Sequence, residues 1–171
     1  TIWGSLMANN VFMFIPAFGH RITTATYMTS SSIIMECYNK GIGIGTSALS
    51  FPDIAELRSM ILTLFYDTMP QMTHLLFIDA DMGFSPQLLT DMLLFDEPLV
   101  GAIYPHRRLP QSWVGSGDGS PTTQRRAGFM AVEGIGGGGM LIRRDVVTRM
   151  LAQMPEIIDT RIDLHPAKDI L

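Results

Sequence analysis

The sequence predicts an α/β fold: a doubly wound, mostly parallel sheet flanked by helices in Rossmann-like fashion. Three observations predict it. Short apolar runs such as Val11-Phe-Met-Phe-Ile15 and Leu75-Leu-Phe-Ile78 read as strands buried on both faces, which is how parallel strands read. Stretches with helical apolar spacing alternate with these runs. The chain, at 171 residues, is long enough for one domain with a full core and too short for two.

Taken in order, residues 1–10 read as an N-terminal extension, 11–155 as the domain and 156–171 as a C-terminal tail. The first strand is ended by Pro16 and Gly19. Residues 21–39 carry helix-compatible spacing, although Thr23, Thr24, Thr26, Thr29 and three serines weaken the intrinsic propensity, so packing must stabilise the helix. Gly41 stops it. Ile42, Ile44 and the residues near Ala48 predict a second strand. Ser50-Phe-Pro52-Asp53 then reads as a capped helix start with proline in the first turn. Ile54, Leu57, Ile61, Leu64 and Phe65 form the apolar stripe of that helix. Leu75–Ile78 should be the third, central strand, and Ser85-Pro86 opens a helix carrying Leu88, Leu89, Met92 and Leu93. Residues 99–103 are a fourth strand candidate. From Tyr104 to about Gly128 the chain reads as a mobile loop, either functional or disordered. Order returns with residues 129–132, the glycine run 136–139, Met140-Leu-Ile142 and a helix from about Asp145 to Gln153.

Composition excludes several classes. With 47% hydrophobic and 16% charged residues the chain can bury enough surface to order itself, and so little charge implies an apolar surface meant to be covered. A net charge of −4 argues against a nucleic-acid polymer as partner. A small anion stays allowed: Arg107, Arg108, Arg125 and Arg126 flank one stretch and either suit a diphosphate or are solvated loop charges. The single cysteine, Cys37, excludes a disulfide framework and reads as a buried structural thiol compatible with a reducing, cytoplasmic location. No apolar run approaches the roughly 20 residues of a membrane span.

The chemistry concentrates in His74-Leu-Leu-Phe-Ile-Asp79-Ala-Asp81-Met-Gly-Phe84. Ligands of doubly wound sheets bind beyond the carboxyl ends of the strands, where these two acids fall. Carboxylates one residue apart in extended chain point the same way, about 7 Å apart, and a turn after the strand would bring them to one ion. Hard oxygen ligands suit Mg2+ or Mn2+. No lysine or arginine near in sequence explains them as ion pairs. The alternative is that both acids cap the following helix or a turn.

The segment resembles the metal-binding Asp-x-Asp motif of GT-A glycosyltransferases, especially the family 2-like ones. The first strand ending at Pro16, Arg58 in the preceding helix, and Gly138-Gly139-Met-Leu-Ile142-Arg-Arg144 are similar to further pieces of that family, so the likeness covers roughly residues 11–152. It implies a GT-A fold and transfer of a sugar from a nucleoside diphosphate sugar to an acceptor hydroxyl, with Mn2+ or Mg2+ as Lewis acid. By resemblance, Asp79 contacts ribose or metal and Asp81 is the direct metal ligand. Pro16, Ala17 and Arg58 line the nucleotide side, and Gly138 and Gly139 let backbone approach the donor or acceptor.

Departures from the family pattern are as informative. The second strand lacks the acid that often holds the base, leaving Ser47 or Asp53. No catalytic base is evident; Asp159, Asp163 and Asp169 are the late acids, and His165 is either a third metal ligand or a surface residue. These gaps keep a non-catalytic nucleotide-binding GT-A-like domain as one alternative. A haloacid dehalogenase-type phosphatase is the other, although Met82-Gly83-Phe84 replaces the threonine continuation of that motif.

Overall fold

The computed structural model describes Leu6, residues 8–105 and 128–158, and the backbone of 113–114 and 125–126. Arg107, Arg108, Asp159, Asp163, His165 and Asp169 lie outside the described residues, as do the side chains of Arg125 and Arg126.

Strand β1 (Asn10–Pro16) leads through a one-turn helix at Phe18–His20 into helix α1 (Thr24–Lys40). Gly41 ends α1 in the left-handed conformation, φ 68°, its N–H returning to the Cys37 and Tyr38 carbonyls, as a glycine C-cap requires. Strand β2 (Gly43–Leu49) follows, then α2 (Ile54–Thr68), β3 (His74–Ile78), α3 (Gln87–Phe95) and β4 (Leu99–Gly101). The cap of α2 is Asp53 itself, whose Oδ1 accepts from Ala55 N and Glu56 N at 2.8 and 2.9 Å; Pro52 stands outside the helix. Two short ladders pair β5 (Tyr104–Pro105) with β6 (Trp113–Val114) and β7 (Arg125–Arg126) with β8 (Phe129–Met130). Strand β9 (Gly139–Arg143) and helix α4 (Arg144–Gln153) complete the domain, followed by a turn of helix at Pro155–Ile157.

The main sheet has the order β2-β1-β3-β9-β4. β1 is parallel to both β2 and β3, while β9 runs antiparallel to both its neighbours, so one strand in five is reversed. Period-two alternation divides the core. Val11, Met13, Ile15, Leu76, Ile78 and Leu141 meet Ile33 and Cys37 of α1 and Leu89, Met92 and Leu93 of α3 on one face. Phe12, Phe14, Leu75, Phe77 and Ile142 meet Leu57, Ile61, Leu64 and Phe65 of α2 and Val147 of α4 on the other. Helices therefore cover both faces, and each large side chain so buried stabilises the fold by about 1.5–3 kcal/mol. Leu6 joins the first face, buried to 2% exposure.

Cys37 is buried, and desolvation, with Glu36 beside it, pushes its thiol up to about 11, as a structural cysteine requires. The sparse charge leaves Tyr27, Met28, Met35 and Tyr38 of α1 exposed. No described helix is long and apolar enough to cross a membrane.

Candidate functional site

The chain leaves β1 to form β2 on one side, then crosses to form β3 on the other. A crevice opens beyond the carboxyl ends of strands at such a switch point. A cleft of about 500 Å³ lies there, lined by Pro16, Phe18, Arg21, Ile22, Thr23, Ile54, Asp79, Ala80 and Asp81. The strand end, the turn after it, the start of α2 and the acidic motif thus converge. Phe18 is 73% exposed on a turn where both Gly19 and His20 have positive φ, 63° and 58°. A histidine in that region is uncommon and holds the turn in a strained shape. Ile54 belongs to the apolar stripe by spacing but is 46% exposed, because it forms the cleft wall instead of the core.

The segment after β3 is held by α1. Thr26, fully buried, donates its hydroxyl to the Met82 carbonyl at 3.0 Å, with the Asp79 carbonyl at 3.5 Å. Thr29 Oγ1 accepts from Phe84 N at 3.1 Å, and Thr23 N donates to the Ala80 carbonyl at 2.8 Å. The threonines that weaken α1 as an isolated helix are the ones that fasten the acidic loop. Their spacing of three along the sequence, one face of a helix, was the available signal.

Asp79 is an ion-pair partner, contrary to the expectation drawn from sequence proximity. Arg58 Nη2 donates to Asp79 Oδ1 at 2.5 Å, from 21 residues away in the chain. The pair is partly exposed, at 27% and 28%. The Arg58 guanidinium lies 5.9 Å from the Phe77 ring centroid, and its Nε is buried without a hydrogen-bond partner among the described residues. Arg58 stands behind Asp79 and does not line the cleft. Asp81 is exposed at the cleft. The first turn of α3, which starts behind Pro86, takes its side-chain acceptor from Ser85, whose Oγ accepts from Gln87 N at 3.3 Å.

The glycine tract closes the back of the site. Gly138 O accepts from Asp79 N at 3.1 Å, and Gly138 N donates to Tyr104 Oη at 3.1 Å. A Cβ on Gly137 would lie 2.7 Å from Arg58 Cζ, and one on Gly138 would lie 2.8 Å from Tyr104 Oη and 2.9 Å from Asp79 Oδ2. What crowds these glycines is therefore the protein's own Arg58, Asp79 and Tyr104. Gly139 pairs with Ile78 inside the sheet and packs against Ala102. Ala17 is buried, its N–H bonded to Leu49 O at 2.8 Å, and shapes the turn rather than the cleft wall. Of the residues singled out in the sequence, Pro16, Asp79 and Asp81 share the cleft; Phe18, Arg21, Ile22 and Ile54 of the cleft, and Tyr104 against the glycine tract, gave no periodic or motif signal of a role in the site.

These features define an open α/β domain with helices on both faces and a cleft at its switch point. No family model matches the chain, and no curated protein matches it. Among solved structures, the crystal structure of A197 from STIV is similar, with a TM-score of 0.50 at 16% identity over 82% of this chain and 68% of that one. The likeness concerns the fold.

Proposed function

We propose that the chain is a metal-dependent glycosyltransferase of GT-A type that moves a sugar from a nucleoside diphosphate sugar to an acceptor hydroxyl. The observation that carries this reading is the cleft itself, in which Asp79 and Asp81 face an apolar wall of Pro16, Phe18, Ile22 and Ile54 with Arg21 beside them. That combination suits a nucleotide: an aromatic ring for base or ribose, a cation for phosphate, and carboxylates for an ion. The reversed β9, which carries the glycine tract up to Asp79, is also in keeping with the resemblance of the motif.

The residues fit a divalent ion that brings ligands with it. Among the described residues no group of three His, Cys, Asp or Glu side chains gathers. Asp81, with Asp79, would hold Mn2+ or Mg2+, the remaining positions falling to diphosphate oxygens and water, as is ordinary for such ions. The ion, when bound, offsets charge on the leaving diphosphate. The chain's own residues do the positioning: Arg58 orients Asp79, the α1 threonines fix the loop, and Arg21 attracts the diphosphate.

A second reading is a nucleotide-binding domain without turnover. It is favoured by one observation: among the described residues lining the cleft, the only carboxylates are Asp79 and Asp81, which leaves no described base for the acceptor proton.

Calorimetry against a panel of nucleoside diphosphate sugars with Mn2+, paired with an assay for released sugar, tests both. Asp81→Ala is expected to cut Mn2+-dependent affinity by about a hundredfold while moving the Tm by less than about 2 °C, as for an exposed position. Unchanged affinity in that variant would sink the metal assignment. Tight binding with no sugar released selects the non-catalytic reading.

A further inference from the structure

We infer that Arg58, seated against Gly137, makes cation binding conditional on the diphosphate: it is a positioning residue that suppresses binding of a bare divalent ion and keeps Asp79 aligned for the ion–nucleotide pair. The inference rests on the glycosyltransferase reading and deepens it.

A pair of carboxylates one residue apart at a loop would ordinarily attract a divalent cation without help. Here a guanidinium sits on one of them, with Nη2 2.5 Å from Asp79 Oδ1. That charge repels a second cation from the same carboxylate. The diphosphate supplies compensating negative charge, so ion and nucleotide arrive favourably only together.

Arg58 is closely seated. Its stem rises from α2 beside buried Leu57, and Phe77 lies under the guanidinium. Gly137 faces the guanidinium so closely that a Cβ would fall within 2.8 Å of Cζ and both terminal nitrogens. A Cβ on Gly138 would fall 2.9 Å from Asp79 Oδ2 and 2.8 Å from Tyr104 Oη, to which the Gly138 N–H is bonded. The absence of side chains at 137 and 138 is thus what lets the pair close. An alanine at 137 is accommodated only by pushing the guanidinium off Asp79, because the guanidinium is the movable partner.

The test titrates Mn2+ alone, by electron paramagnetic resonance, into wild type, Arg58→Gln, Arg58→Lys and Gly137→Ala, and then repeats the series with a nucleoside diphosphate. Arg58→Gln should bind Mn2+ alone about tenfold more tightly, since a unit charge facing a dication some 6 Å away in a water-like medium is worth about that factor. Gly137→Ala should shift affinity the same way. Arg58→Lys, which keeps the charge, should resemble wild type. A merely structural Arg58 would give weaker binding in all three, and that result, or equal affinity in wild type and Arg58→Gln, overturns the inference. If wild type takes up no Mn2+ even with a nucleoside diphosphate, the glycosyltransferase reading fails. The seating of Arg58 is then decided without metal: Gly137→Ala and Arg58→Ala should lower the Tm less together than the sum of their separate effects, and additive losses refute it.

Discussion

The two ends of β3 hold their charged groups in opposite ways. At the amino end Arg144 uses four of its five N–H groups: Nε donates to Met72 O at 2.7 Å, Nη1 to Tyr66 O at 3.1 Å, and Nη2 to the Phe65 and Met69 carbonyls at 2.7 and 2.5 Å. Its guanidinium also lies 4.2 Å from the Phe65 ring centroid. Arg143 beside it binds Asp145 through Nε and Nη2, at 2.7 and 3.1 Å, and reaches Asp96. At the carboxyl end Arg58 has, among the described residues, one acceptor, Asp79, whose carboxylate opens on a cleft, and a buried Nε with no partner. A cation whose donors are used on backbone carbonyls stabilises a fold, whereas one paired to a carboxylate at a cleft sets the charge that a ligand there meets.

The sharpest way to break this contrast is Arg144→Ala. The side chain gathers the Phe65 and Tyr66 carbonyls at the end of α2 and those of Met69 and Met72 beyond it, so removal takes a donor from several acceptors at once. A loss of roughly 4 kcal/mol is expected, since hydrogen bonds to charged donors contribute about 1.5–3 kcal/mol each and are not additive. Arg144→Lys, with no planar fork, should recover less than half of it. Urea unfolding measures both. A loss under about 1 kcal/mol would mean that water serves these carbonyls as well as Arg144 does.

Next in size is a pH effect at the same end. Burial, followed by the charge of Arg143, pushes the His74 imidazole down to about 4 from its ordinary 6.5, Asp96 and Asp145 opposing. The Thr73 hydroxyl donates to Asn10 O, so it accepts from His74 Nδ1–H at 2.9 Å and the ring stays neutral. The unfolded chain therefore binds the proton more tightly. Stability from this group is full above about pH 6.5, declines as pH falls, and levels off below about 4. The decline amounts to roughly 3 kcal/mol. His74→Asn should flatten that slope in unfolding midpoints taken across the window; an identical slope in both proteins would assign it to other groups.

The sequence made the strands of the sheet legible because Val11–Ile15 and Leu75–Ile78 are apolar at every position, and the helices legible through stripes such as Leu57, Ile61, Leu64 and Phe65. It did not reveal that β9 runs backwards. A strand buried on both faces shows the same apolar run in either direction, and only the empty slot between β3 and β4 decides where Met140–Ile142 goes. The acids of the site were legible from Asp79-Ala-Asp81. Arg58 as the partner of Asp79 was not, because a contact across 21 residues depends on how α2 lies against the sheet. The glycine tract was visible as a close-approach signal, but its neighbours were not.

The smallest expected effect tests whether the carboxyl end is held as firmly as function requires. Thr26→Val preserves shape but removes the buried hydroxyl that bonds Met82 O, leaving that carbonyl short of a donor at a cost of about 1–2 kcal/mol. Calorimetric Tm should fall by about 2–8 °C, while Thr26→Ser should restore most of it. The loss differs in kind from that of Arg144→Ala. Loosening the 79–84 loop lets Asp79 and Asp81 wander, so Thr26→Val should also weaken Mn2+-dependent nucleotide binding, whereas Arg144→Ala should leave it intact at temperatures where the fold persists. Equal affinities in the two variants would show that the threonines serve only the packing of α1, and that the two ends of β3 differ in charge but not in purpose.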